Sequence, residues 1–248
     1  RNACLRSEEF QRLMKLLDGY PLPIQVVLAN LANQTPRQVL EALNKGGAMQ
    51  DSKIQDKTES IMLCIEYSYG NIEADEQKLL MTLAPFTGVV FQPFIKQYIE
   101  HLKHQPALKD LPFQKLEEVL QQARGGGLVT ADHMSGYLKL QPVLPYFLRA
   151  RLNQVPEVKE AVHVAYRAFY DGFANELIRL MQSKDAQEKQ VGQMLAGQEY
   201  ENLYSALEMD LNAKGSIMQP YFALSQYLDS TQEHELGLQI GQMVLARV

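Results

Sequence analysis

This chain has few cysteines and no long apolar run. The two cysteines, Cys4 and Cys64, lie far apart and form no CxxC pair or ligand-spaced cluster, so a disulfide scaffold or a zinc site has little support. No apolar stretch approaches the roughly 20 residues that cross a bilayer, and no secretory signal is present. We therefore expect a soluble protein in a reducing, cytoplasmic setting, with no membrane partner.

The charge balance is slightly acidic and argues against a general nucleic-acid binder. The chain has 24 Lys and Arg against 29 Asp and Glu, a net charge of -5. Affinity for a polyanion comes mostly from cations that replace counterions on phosphate. With 248 residues and 46% hydrophobic content, the chain can bury a substantial core in one or two domains.

Motifs of catalysis and of phosphate binding are also missing. The sequence contains no GxxxxGK[ST] loop, GxGxxG turn, GxSxG elbow or HExxH pair. A nucleotide hydrolase needs such a loop around the phosphates and a carboxylate near magnesium. His101 and His104 share a helix face at a spacing that can bind metal, but no carboxylate or thiol partner accompanies them, so a solvated helix end is expected. We predict no catalytic residue and no metal site.

The first 45 residues predict a small subdomain of three short helices. Apolar residues repeat at helical spacing from Ser7 to Leu17 and again from Ile24 to Leu31, and Thr35 followed by Pro36 has the form of a helix cap. Residues 46–57 lose this period and are predicted to be a linker. Because the chain begins with Arg1 and enters helical periodicity without a cap signal, we expect a fragment of a longer protein.

Residues 58–153 predict a winged helix-turn-helix domain. Four helical patterns are followed by "GLVTA", "DHMSG" and "YLKLQ", the pattern of two strands around a polar turn, and then by the helix "PVLPYFLRARLN". Gly125–Gly127 is interpreted as a helix terminator rather than an anion nest. A winged helix suggests DNA binding as a function. However, the helix in the recognition position carries Glu117 and Glu118, and the turn has Asp132 without Lys or Arg. Phosphate would be repelled by such a surface.

Residues 154–248 predict antiparallel helices of tetratricopeptide type. An aromatic-rich stripe at helical spacing runs from Val162 to Phe173, and two final helices flank a turn at Asp229 to Gln232. Helical repeats of this kind bind proteins, so a protein partner or effector is expected there. The fold class is therefore mainly α: a helical subdomain, a winged helix-turn-helix with a two-stranded hairpin, and tetratricopeptide-like antiparallel helices.

The order of these parts, headed by "GYPLP" at 19–23, resembles the C-terminal part of the nucleotide switch in STAND NTPases of the NB-ARC type. In that family a GxP motif opens a helix just after the P-loop core, and a winged helix and helical repeats follow. The resemblance implies that the chain is a regulatory part of a signal-transducing ATPase. It also implies ADP or ATP with Mg in the intact protein, nucleotide-dependent oligomerisation of that protein, and no cofactor held tightly by this part alone.

The resemblance assigns roles to four residues. Pro21 would pack against the adenine base, with Gly19 and Leu22 shaping the turn. The second place is the end of the wing, where the family often has a His that touches the β-phosphate of ADP. Here the stretch reads Leu140-Gln141-Pro142, so Gln141 would offer an amide without positive charge.

Three alternatives stay open at this stage. Proline in the first turn of a helix is common without any ligand, since its missing N–H would be unpaired there. The chain could also be a winged-helix transcriptional regulator with a helical effector domain. The third alternative is a helical scaffold that binds peptides in a groove.

Overall fold

The computed structural model describes residues 7–16, 21–32, 34–45, 57–132 and 134–247, and in them the chain is mainly helical, as predicted. The predicted linker lies outside these residues apart from Lys57. The helices are α1 Glu8–Leu16, α2 Pro21–Asn30, α3 Pro36–Lys45, α4 Lys57–Gly70, α5 Ala74–Met81, α6 Ile95–Lys103, α7 Leu116–Gly125, α8 Leu144–Leu152, α9 Pro156–Met181, α10 Ala186–Gln198, α11 Tyr200–Ala213, α12 Met218–Thr231 and α13 His234–Leu245. The strands are β1 Val89–Phe91, β2 Val129–Ala131 and β3 Tyr137–Leu140.

The chain forms two compact units, each made of two separate segments. Unit 1 consists of the described residues up to Ala84 together with Leu111–Gln154, and unit 2 consists of Pro85–Asp110 together with the described residues from Val155 onward. The sequence places residues 85–110 within the predicted winged-helix domain, whereas here they cluster with the C-terminal helices. The predicted domain boundaries stay predictions.

The N-terminal helices of unit 1 pack around a small apolar core. Its fully buried members are Leu13, Val26, Val27, Val39 and Cys64. These residues come from α1, α2, α3 and α4, whereas Leu28, which belongs to the apolar repeat of α2, is 43% exposed. Burial raises the pKa of the Cys64 thiol to about 12, because an apolar environment disfavours the thiolate.

The start of α3 follows the predicted cap. The Gln38 backbone N–H donates to Thr35 Oγ1 at 3.3 Å, and the Thr35 N–H donates back to Gln38 Oε1 at 2.8 Å. This is a capping box, in which the first turn satisfies two backbone donors that the helix itself leaves unpaired. Pro36 then takes the first helical position.

The glycines after α7 end the helix, as predicted. Gly127 has φ of 73°, its N–H donates to the Arg124 carbonyl, and the Leu128 N–H donates to the Ala123 carbonyl. This pattern is a Schellman motif, which needs a left-handed residue just past the helix and so favours glycine. The hairpin predicted next is present, with β2 and β3 antiparallel and Val129 opposite Leu140.

Unit 2 is built around α9, the longest helix described, with 26 residues. The predicted aromatic stripe is buried along its length and packs against α6 and the later helices. Aromatic rings meet edge to face, as between Phe86 and Tyr166 with centroids 5.1 Å apart, an arrangement that suits the ring quadrupole. The stripe consists of Val162, Ala165, Tyr166, Phe169, Tyr170 and Phe173.

Two helix ends in unit 2 depend on details beyond the apolar spacing. The chain from Ala186 to Ala213 is helical apart from Glu199, which separates α10 from α11. The last turn is also shorter than predicted, since α12 extends to Thr231 and Gln232 alone takes a left-handed conformation with φ of 63°. Helix ends of this kind depend on tertiary contacts or on the conformation of a single residue. Neither can be recognised from the spacing of apolar residues.

Candidate functional site

The structure places the first predicted contact at the start of α2. Pro21 and Leu22 are the first two residues of that helix, and Gly19 lies outside the described residues. A proline at the first helical position is pre-set to helical φ and loses no hydrogen bond there. The helix start is therefore confirmed, while the contact of Pro21 with adenine stays a prediction.

Gln141 lies at the junction between the hairpin and α8, and it is buried. Its backbone N–H donates to the Leu128 carbonyl at 3.0 Å, and its carbonyl accepts from the Leu144 N–H at 2.8 Å. The first bond closes the hairpin and the second opens the turn that leads into α8. Gln141 therefore has a structural role, and its proposed place near a nucleotide phosphate stays a prediction.

A polar cleft opens in unit 1 at the C-terminal end of α2. It has a volume of about 480 Å³ and is open to solvent. Since α2 rises about 1.5 Å per residue, this end lies about 13 Å from Pro21, so the cleft and the predicted adenine contact are separate places. The walls come from α2, α4 and α7 and consist of Asn30, Gln34, Ser68, Asn71, Ile72, Gln121, Gln122, Gly125 and Gly126.

Asn30 holds the walls of this cleft together. It is 7% exposed, and its Nδ2 lies 2.8 Å from the Val26 carbonyl and 2.7 Å from Ser68 Oγ. A weaker contact of 3.3 Å joins the same nitrogen to the Gly126 carbonyl. Asn71 Nδ2 donates to Asn30 Oδ1 at 3.2 Å. One buried carboxamide thus links three segments of unit 1 and keeps the polar walls in place.

The rim of the cleft is also polar and without charge. The Tyr67 hydroxyl donates to Gln34 Oε1, and burial raises the pKa of Tyr67. Gln121 and Gln122 on α7 are exposed at the rim. Within the part of the chain that the structure describes, neither glutamine side chain makes a hydrogen bond, so their amides face solvent and a ligand could use them.

Unit 2 contains a different polar centre, buried between helices. Glu199 is 2% exposed, and its Oε2 accepts from the Tyr170 hydroxyl and from Asn202 Nδ2, both at 2.8 Å. Asn202 Oδ1 accepts from the Thr87 N–H and hydroxyl at 2.9 Å, and Asn202 Nδ2 also lies 3.1 Å from the Val89 carbonyl. Burial raises the pKa of Tyr170 well above its usual value, and the charge of Glu199 adds to this.

This centre reads as a structural anchor rather than a reaction site. Beside it is a cavity of only about 10 Å³, whose walls are almost entirely aromatic and aliphatic, with Glu199 as the charged member. The carboxylate already binds two neutral donors, and Asn202 ties the segment around Thr87 to α11. The hydrogen bonds therefore fix the chain where it enters unit 2.

The described residues contain no group of three His, Cys, Asp or Glu side chains arranged to hold a metal ion. His101 is partly buried with its ring edge on Phe169, and burial with the charge of His104 lowers its pKa. His104 Nδ1 lies 2.6 Å from the Glu100 carbonyl. The two histidines thus have local partners within unit 2.

The exposed face of α7 is acidic toward its start. Glu117 and Glu118 are both exposed, and Lys115 just before them binds the buried Glu76 at 3.2 Å. An exposed carboxylate pair does not favour a phosphate backbone. The helix that would be the recognition helix of a winged helix therefore presents acidic side chains to solvent.

Sequence reasoning did not identify Asn30, Ser68, Asn71, Gln121 or Gln122 as a site. The partners of Asn30 lie 38 and 96 residues further along the chain, so no local spacing connects them. The available signal was an Asn at the end of an apolar helix, where a polar side chain must find partners.

None of the described helices has the length and apolar character needed to span a bilayer. Comparison with protein-family models, with curated proteins and with solved structures finds no match for this chain, so no family membership is assigned.

Proposed function

We propose that the chain is a regulatory and interaction fragment of a nucleotide-switched signal-transduction ATPase of the STAND, NB-ARC type. The observation that carries this proposal is an order of elements. A helix opens at Pro21 within the GxP-like stretch, α4 to α7 follow, and the β2–β3 hairpin leads through Gln141 into α8. The sequence has no phosphate loop, so the fragment itself is proposed to be no enzyme, while the intact cytoplasmic protein is an ATPase.

The finer fold is part of the same proposal. Residues 58–153 would form a winged helix-turn-helix, which the hairpin register and the Schellman end of α7 support. Residues 154–248 would be tetratricopeptide-like. In support, Gly192 lets α10 approach α9 so closely that an added Cβ would lie 2.8 Å from Leu180 Cβ, and repeats of this type need small residues at such crossings.

The chain's own residues fit only part of a nucleotide. Pro21 offers a rigid apolar ring for a base, and Gln141 offers a neutral amide near the end of the wing, whereas a phosphate loop and its lysine are absent from the sequence. In the intact protein these two positions would cover ADP in the resting state and separate from it after exchange. Contacts made in one state only would bias that equilibrium.

The test uses the longer protein. Reading upstream of Arg1 should reveal a GxxxxGK[ST] sequence within roughly two to three hundred residues, the length of one ATPase core. In that protein, Pro21→Ala should weaken ADP affinity about fivefold, since an apolar contact of about 40 Å² contributes about 1 kcal/mol. Pro23→Ala is the matched control. Equal loss in both variants, or ATP hydrolysis by the 248-residue chain alone, would contradict the proposal.

A second candidate function is a protein-binding helical scaffold. Phe222 and Met218 on α12 are each 49% exposed, and Leu238 on α13 is 63% exposed. Exposed apolar residues on neighbouring helices favour contact with another protein. Absence of a phosphate loop upstream would leave this scaffold as the better explanation, while specific retardation of a defined DNA duplex at low salt would favour a transcriptional regulator instead.

A further inference from the structure

The polar cleft of unit 1 has an unusual lining. Five of its nine lining residues carry a carboxamide, one is a serine and two are glycines that expose backbone. Ile72 is the single apolar member, and no lining residue is ionisable or aromatic. The cleft therefore presents paired hydrogen-bond donors and acceptors without net charge.

This chemistry excludes several ligand classes. A phosphate or other anion needs cations or a helix N-terminus, and the lining has no Lys or Arg. Calcium and magnesium prefer carboxylate oxygens, which the lining lacks. A nucleobase is usually held by an aromatic ring or an Arg plane, and neither lines the cleft. The lining suits an uncharged ligand that carries several hydrogen-bond donors and acceptors, as a peptide backbone does.

We propose that this cleft binds an extended, uncharged peptide segment through its backbone. A carboxamide has the same kinds of donor and acceptor as the backbone, so one Gln or Asn side chain can exchange two hydrogen bonds with the N–H and C=O of one extended peptide residue, which point to the same side. Gln121 and Gln122, one helical step apart on the exposed rim, would supply this pairing. The volume of about 480 Å³ is sufficient for a short peptide segment.

The inner wall is prepared for such a ligand. Asn30 is fixed by Ser68 and the Val26 carbonyl, and Asn71 is fixed by Asn30. A wall whose side chains are already ordered loses little conformational entropy on binding, so weak single contacts can add up. Binding here does not depend on the proposed nucleotide switch, since neither Pro21 nor Gln141 lines the cleft.

The experiment is a titration of the full 248-residue chain with capped triglycine, an uncharged peptide, followed by NMR of side-chain amide groups. The amide resonances of Gln121, Gln122 and Asn71 should shift with one common dissociation constant. Gln121→Met, which keeps length and helix propensity, should weaken binding about tenfold by removing one hydrogen-bonding group. Gln114→Met, an exposed change outside the cleft, should leave affinity unchanged.

Parallel titrations use inorganic phosphate, adenosine and N-acetylglucosamine. Saturable shifts at the cleft with capped triglycine, and none with these three, would support the proposal. A larger response to phosphate, adenosine or the sugar would overturn it, as would the absence of saturable shifts with the peptide. Equal weakening by Gln121→Met and Gln114→Met would also overturn it, because the effect would then not arise in the cleft.

Discussion

Asn202 should be one of the most sensitive positions in unit 2. Replacing it by Ala removes the acceptor for the Thr87 N–H and hydroxyl and the donor to Val89 and Glu199. Leaving a buried polar group without a partner costs about 1–3 kcal/mol. The Glu199 carboxylate is fully buried, whereas Thr87 and Val89 are partly exposed and can recover water. We therefore expect a loss of about 3 kcal/mol in the free energy of unfolding.

Asn212→Ala is the matched control, because Asn212 lies on the same helix and is exposed. The difference between the two variants cancels the gain in helix propensity from Asn to Ala. Urea unfolding followed by circular dichroism measures the free energy, and hydrogen exchange reports the Thr87 amide directly. A difference below about 0.5 kcal/mol, with Thr87 still protected from exchange, would refute the assignment of Asn202 as the anchor.

Three further predictions concern glycine packing, a buried carboxyl and a buried thiol. Gly192→Ala should lower the free energy of unfolding by about 1–3 kcal/mol, because the added Cβ would collide with α9. Gly172→Ala, which has open space around it, should instead raise it by about 0.5–1 kcal/mol. Thermal melting of both variants measures the difference. Burial, partly offset by Arg167, raises the pKa of Asp210 to about 6. The folded state therefore binds the proton more tightly than the unfolded chain, and stability should fall as pH rises from about 4 to 6, by up to about 3 kcal/mol. Asp210→Asn should flatten that dependence and raise stability at pH 7; a steeper profile in the variant would contradict this. The buried Cys64 thiol should resist alkylation at pH 8 until urea is added, as read from its peptide by mass spectrometry, and rapid native labelling would show that its site opens.

Features with a local period could be predicted from the sequence. The buried stripe of α9 follows from aromatic and aliphatic residues at helical spacing, and the hairpin follows from two alternating runs around a polar turn. The end of α7 was predicted for the same reason, since three consecutive glycines cannot continue a helix at low cost. In each case the decisive residues are neighbours along the chain.

Features that depend on distant pairs could not be predicted. Glu199 and Asn202 have no local sequence pattern that would predict their burial. They are buried because Asn202 meets Thr87, 115 residues away in sequence, and because α10 ends at Glu199. The cleft around Asn30 was missed for the same reason. A sequence pattern contains composition and period, whereas the burial of a polar group depends on the partner that the fold brings to it.

The two predicted nucleotide contacts, Pro21 and Gln141, lie at positions that local structure also explains. Pro21 does begin a helix, but helix geometry explains a proline there without any ligand. Gln141 is likewise explained by its backbone bonds in the hairpin junction. Their assignment as nucleotide contacts depends on the resemblance and on the upstream sequence.

The division of the chain into interleaved segments has a consequence for synthesis. When a ribosome has released residues up to 110, unit 1 still lacks Leu111–Gln154, and unit 2 has only its first segment. Phe86 and Phe94 would then be exposed, because their ring partners on α9, Tyr166 and Phe173, have not yet been made. Neither half of this protein can complete its core from one uninterrupted stretch, so the nascent chain must carry exposed aromatic surface until α9 emerges.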